Sequence, residues 1–359
     1  MADPAGTRSA QGRERRLGCV LIVMTGSFAR QAQVVRALGS AFVAAVLEAG
    51  ERQLYRAPLT ARLIDDWPGD PAADALAMRF NGALHALARR GDDVALSALY
   101  ARRGGDFDAV IGGAMADADG FIADWMREPP QTNEVARSAA IMAALMTLRA
   151  EVDRPVELLE LGASAGLNLN LGRYAFDLGG VRVGQADSPV RIAPEWRGHP
   201  PLARPVEIVG ARGVDLRPLS VGDPAARERL MAYVWADQPE RADRLHHALA
   251  IARAHPPLLT RGDITDWLPL ELSRPAGAGV CRVVVHAMSL QYCSPATHAA
   301  VATALATADT PIARIGFEWT EARDAVHLTL TTYPDGRARH LATCHAYGHW
   351  IDWHGPAAA

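Results

Sequence analysis

Three strand-like runs of this chain each end in an acid. The run Val156–Leu161 carries Glu160 and leads into Gly162-Ala163-Ser164-Ala165-Gly166. A second run at 206–209 reaches towards Val214 and Asp215, and a third at 257–260 ends at Gly262-Asp263. In an open parallel sheet the carboxyl ends of the strands line one crevice. Each acid there is an acceptor waiting for a donor. Glu160 suits the amino-acid part of a ligand, Asp215 two ribose hydroxyls, and Asp263 an adenine amino group. Gly162 and Gly166 let the backbone turn sharply and approach a ligand that a Cβ would push away.

The same turn spells Gly-x-Ser-x-Gly, which after a strand reads as a nucleophile elbow. Ser164 would then be a hydrolase nucleophile, with Asp263 or Asp266 and His345 or His349 following in chain order. A hydrolase also needs strands before the nucleophile strand and an oxyanion loop, and the first 150 residues offer neither. The Gly-x-x-x-Gly spacing fits a nicotinamide dinucleotide site poorly. At the end of the fourth strand, His286, Gln291 and Tyr292 are the candidates for facing a reacting group, with His286 a possible base near neutral pH. Glu318 ends the fifth strand and can face the same crevice. The late histidines His340, His345, His349 and His354 lack metal-ligand spacing, so no metal is expected.

These residues need elements to hold them. Residues 28–150 read as helices, with Val34, Val35, Leu38, Phe42, Val46 and Leu47 on one face. A strand at Val110-Ile111 is the doubtful exception. A helix over 133–148 is expected after Pro129-Pro130, with Thr132 or Asn133 as cap. The polar segment 131–137 reads as surface capping or a ligand-facing lid. After Pro155, strands at 156–161, 206–209, 257–260, 283–285 and 312–317 alternate with helices at 224–235, 239–254 and 295–306. A helix is expected directly after the glycine turn. A hairpin over 327–332 and 341–347 turns at Pro334-Asp335-Gly336. Interleaved strands and helices imply a largely parallel sheet. Residues 174–204 read as an inserted loop or small hairpin beside the crevice.

Bulk properties narrow the function. The chain has 359 residues and a formal net charge of −3, which points away from nucleic acid and from membrane surfaces. It contains 37 basic residues, all arginine, so chemistry on a lysine Schiff base or a phosphate-loop lysine is excluded. Four scattered cysteines (Cys19, Cys281, Cys293, Cys344) suggest reduced thiols and a cytoplasmic location. Residues 1–26 read as a disordered or mis-started tail. No run reaches the roughly twenty apolar residues of a membrane span.

The motif Glu160-Leu161-Gly162-Ala163-Ser164-Ala165-Gly166 and the strand succession over 155–353 resemble the class I S-adenosylmethionine-dependent methyltransferases. More narrowly, the stretches 131–134, 161–169, 188–191, 213–219 and 261–263 resemble an uncharacterised bacterial family known only as a domain of unknown function. The methyltransferase resemblance implies a seven-stranded Rossmann-like domain over 151–355, preceded by a helical lobe over 27–150. It implies S-adenosylmethionine held at Glu160, Gly162, Ser164, Gly166, Asn168, Asp215 and Asp263, and a small-molecule methyl acceptor. A non-catalytic cofactor-binding protein is the alternative. The chain departs from the pattern in three ways. Ser164 replaces the middle glycine. Asp215 lies 49 residues beyond Gly166, where about 20 is usual, which makes Asp177 a second candidate for the ribose. No acid-Pro-Pro-Tyr follows the fourth strand, which argues against methylation of a nucleobase.

Overall fold

The computed structural model describes residues 27–308 and 310–357, so the tail at 1–26, with Cys19, lies outside the described residues. The chain forms two compact units. One runs to Thr132 and includes Glu228–Ala242; the other comprises Asn133–Arg227 and Asp243–Ala359.

The first unit is helical: α1 (Ser27–Ala37), α2 (Ala41–Arg52), α3 (Pro58–Asp65), α4 (Leu76–Arg90), α5 (Val94–Arg102), α6 (Phe107–Asp117) and α7 (Asp119–Arg127). The expected single apolar face from Val34 to Leu47 is broken in two. Gly39 adopts a positive φ, Ser40 caps α2 by accepting from Val43 N, and Val34 is left exposed. Val110-Ile111 lies within α6 and is not a strand. Asp119 accepts from Leu59 N and Thr60 N at 2.7 and 2.8 Å, satisfying donors at the start of α3.

The second unit begins with α8 (Ser138–Glu151), which starts five residues later than expected. Asn133 does not cap it. Its Oδ1 accepts from Leu167 N at 2.9 Å, so that polar segment fastens the residues after the glycine turn. The strands follow: β1 (Val156–Leu161), β2 (Ala175–Leu178), β3 (Val181–Gly184), β4 (Arg191–Ile192), β5 (Glu195–Arg197), β6 (Ile208–Asp215), β7 (Leu258–Arg261), β8 (Cys281–Ala287), β9 (Ile312–Trp319), β10 (Val326–Tyr333), β11 (Arg337–Cys344) and β12 (Trp350–Trp353). The later helices are α9 (Pro224–Ala232), α10 (Pro239–Ala254), α11 (Ile264–Ser273) and α12 (Pro295–Ala306). Each of α9 and α10 spans a unit boundary in sequence.

The main sheet has nine strands, not seven, in the order β5-β12-β11-β10-β9-β8-β1-β6-β7. β7, β6, β1, β8 and β9 are mutually parallel; β10, β11 and β12 run antiparallel in sequence. The extra strands are β12 and β5, the latter supplied by the 174–204 insertion, which also forms the small sheet β3-β2-β4. Every residue of β1 is buried, as expected of a strand flanked on both sides in a parallel sheet. Leu159, Leu161, Val214 and Val284 from the sheet pack with Trp267 and Leu268 of α11 and Val301 and Leu305 of α12. From β1 the chain builds outward through β6 and β7, then crosses to β8 and β9 on the other side. The carboxyl ends of β1 and β8 therefore flank the topological switch point, the usual ligand crevice of such sheets. Among the described residues no helix is long and apolar enough to cross a membrane.

Candidate functional site

The turn after β1 is held by the protein itself. Gly162 N and Ala163 N donate to Val214 O at 2.9 and 3.0 Å, and Gly166 N donates to Ala163 O at 2.7 Å. Ser164 N donates to Asp215 Oδ2 at 2.8 Å. With Leu167 N donating to Asn133, five of the six amides from Gly162 to Leu167 are committed within the protein, which leaves few donors there for a phosphate. The expected α-helix after the turn is a 3-10 helix, Leu167–Arg173.

The two glycines are required by the packing of the protein itself. A Cβ on Gly162 would lie 2.3 Å from Ser289 Cβ, and one on Gly166 would lie 2.6 Å from Pro257 Cβ. The close approach shown is between chain segments. Gly162, Ser164 and Gly166 have φ of 70°, 53° and 70°. Ser164 is the strained member, since a side chain disfavours this left-handed region.

Glu160 is 3 % exposed and Asn168 4 %. Glu160 Oε1 accepts from Asn168 Nδ2 at 2.7 Å. Glu160 Oε2, Asn168 Oδ1 and Ser164 Oγ are all buried without a hydrogen-bond partner among the described residues. Burial pushes the Glu160 carboxyl up to about 8; the Asn168 hydrogen bond opposes that shift, and the charge of Asp215 adds to it. Unpaired acceptors of this kind cost free energy unless a donor fills the space.

The other acids divide. Asp215 belongs to the turn: it holds Ser164 N through Oδ2 and Arg217 N through Oδ1. A carboxylate has lone pairs to spare for further donors. Asp263 follows β7, next to the end of β6, where Gly262 N donates to Asp215 O. It is exposed and caps α11, accepting from Thr265 N and Oγ1 at 2.8 and 2.7 Å. Those bonds hold its carboxyl below the ordinary range. Asp177 lies in the separate small sheet and closes the β2–β3 hairpin by accepting from Gly180 N.

His286 is buried with both ring nitrogens engaged. Arg314 Nε donates to Nε2 at 2.9 Å, which fixes the proton on Nδ1, and Nδ1 donates to Glu318 Oε1 at 2.8 Å. Burial, together with the Arg314 charge, lowers its pKa. A neutral histidine clamped on both sides is not the base expected of it. Gln291 Nε2 turns back to Met288 O at 3.2 Å, and Tyr292 is 75 % exposed. The structure thus gathers Glu160, Ser164, Asn168 and Asp215 around one turn, and pairs His286 with Glu318 and Arg314 rather than with Gln291 or Tyr292.

Sequence reasoning missed Ser289. Its Oγ donates to Leu161 O at 2.7 Å and its N donates to Glu318 Oε1 at 3.0 Å, so it ties the ends of β1, β8 and β9 together. Nothing in the local sequence distinguishes this serine. Ser164 Oγ has no hydrogen-bond partner among the described residues, and His345 stacks on His349 with ring centroids 4.4 Å apart. No nucleophile–histidine pair is formed there.

No curated protein and no solved structure is significantly similar to this chain. Residues 26–353 match the family described as "uncharacterized protein conserved in bacteria (DUF2332)", and with nearly its whole length covered the chain belongs to that bacterial family.

Proposed function

We propose that this protein binds S-adenosylmethionine at the carboxyl end of β1 and acts as a methyltransferase on a small molecule. The observation that carries the reading is the pair of buried oxygens Glu160 Oε2 and Asn168 Oδ1 at the switch point, neither of which has a hydrogen-bond partner among the described residues. An α-ammonium group supplies the donors and the positive charge that this pair lacks. Asp215, one strand over, offers acceptors for ribose hydroxyls, and Asp263 lies one strand further for the base. The bound cofactor would supply an electrophilic methyl group; the chain's residues bind and orient it. His286 is locked between Arg314 and Glu318. That clamp favours, as second reading, a protein that binds the cofactor without turning it over.

Calorimetry with S-adenosylmethionine and S-adenosylhomocysteine tests the proposal. Both are expected to bind, and Glu160→Gln is expected to weaken both by about tenfold or more through loss of a charged hydrogen bond. A free carboxyl with a pKa of about 8 is protonated at pH 7. Binding an ammonium ion there expels that proton, so the heat at pH 7 should depend on the buffer's ionisation enthalpy. Binding of neither compound overturns the reading.

A further inference from the structure

Glu318 closes β9 on the same sheet edge as Glu160, with β8 between their strands. Its two oxygens are used very unequally. Oε1 accepts three donors: His286 Nδ1 at 2.8 Å, Ser289 N at 3.0 Å and Leu290 N at 3.1 Å. Oε2 is buried and accepts none. The histidine donor is neutral, because Arg314 occupies its other nitrogen, so the carboxylate has no cation bonded to it. Met288, just before the two amides, is held at a φ of 60°, a strained conformation for a side chain of this size. The chain therefore spends three donors and some backbone strain to fix one oxygen, while the other has no hydrogen-bond partner among the described residues.

We propose that Glu318 Oε2 is a second ligand-binding atom, taking an N–H donor of a cationic small molecule, of the primary-ammonium class, at the ends of β8 and β9. Only donors suit a carboxylate oxygen, and a cation matches a charge with no bonded counterion. Burial pushes this carboxyl up, but the hydrogen bonds from His286, Leu290 and Ser289 outweigh it and keep the group ionised. The site needs no cofactor and does not rest on the S-adenosylmethionine reading. His286 acts here as a positioning residue through Glu318.

The probe is methylammonium chloride, with tetramethylammonium chloride as a cation of equal charge that has no N–H. In the unsubstituted full chain with 13C-labelled glutamate, the Glu318 carboxyl resonance is expected to shift with methylammonium and not with tetramethylammonium. Glu318→Gln keeps an Oε1 acceptor for the three existing donors, and it should bind methylammonium about tenfold or more weakly, the loss typical of one charged hydrogen bond. An equal response to both cations, unchanged binding in the variant, or no shift in the unsubstituted chain overturns the proposal. If S-adenosylmethionine fails to bind but methylammonium shifts Glu318, the cofactor reading falls and this one stands.

Discussion

Glu157 and Glu160 lie three residues apart on the same buried strand, and they are treated in opposite ways. Glu157 Oε1 accepts from Arg212 Nη2 at 2.7 Å, and its Oε2 accepts from Arg282 Nε at 2.9 Å. Arg212 also reaches Glu271, and Arg282 donates to Leu272 O. Both oxygens of Glu157 are thus matched by cations from the two neighbouring strands. Glu160 has one amide donor and one empty oxygen. Burial alone does not mark a functional carboxylate. A completed network is architecture, whereas the oxygen of Glu160 at the carboxyl end of β1 is where the proposed ligand would supply the donor.

The largest test of this contrast removes Glu157. Glu157→Ala leaves two arginines short of a partner in a mostly buried setting and should cost about 3–5 kcal/mol in urea unfolding. A loss below about 1 kcal/mol would place Glu157 among ordinary surface ion pairs and erase the distinction.

Glu160→Gln should move stability the other way, and with a pH signature. The folded carboxyl titrates near 8 and the unfolded one near 4.5. Its contribution to stability is complete below the lower value and is lost as pH rises towards the higher, by up to about 1.4 kcal/mol per pH unit. The glutamine variant lacks this loss, so its advantage over the parent should grow between pH 5 and pH 9. Parallel stability–pH curves for the two proteins would show that Glu160 is not the uncompensated group proposed.

A smaller effect is expected at Ser289. Ser289→Ala deletes the hydroxyl bond to Leu161 O and keeps the amide bond to Glu318, for a loss of about 1 kcal/mol. Weakened S-adenosylmethionine binding in that variant, beyond the change in stability, would extend the open site from β1 to β8. Asp263→Ala should cost a similar ~1 kcal/mol as a lost helix cap. Calorimetry then decides whether Asp263 has any duty besides capping, since a pure cap leaves cofactor affinity unchanged.

The order of strands and the position of the turn were legible because they are written locally. Val156–Leu161 is a mostly apolar run bounded by Pro155 and Gly162, and the acids at 160, 215 and 263 fall at or just past the carboxyl ends of their strands. What could not be read is whatever depends on distant partners. Arg282 meets Glu157 from 125 residues away, and Asn133 secures Leu167 from 34 residues before it. His286 looks like a base until Arg314 and Glu318, on the next strand, are seen on either side of it. No local pattern shows the packing at the two glycines, because the atoms that forbid a Cβ belong to Ser289 and Pro257. Likewise the sheet gained its two extra strands through a pairing that no local pattern announces.

That pairing sets a timetable for synthesis. β5 at 195–197 takes its place only against β12 at 350–352, which follows 155 residues later. At ordinary translation speeds the growing chain carries Trp196 and its neighbours without their partner for roughly 8 to 30 s. Throughout that interval the nascent polypeptide presents an unsatisfied ribbon edge, the kind of surface on which chaperones act and neighbouring ribosomes' products stick.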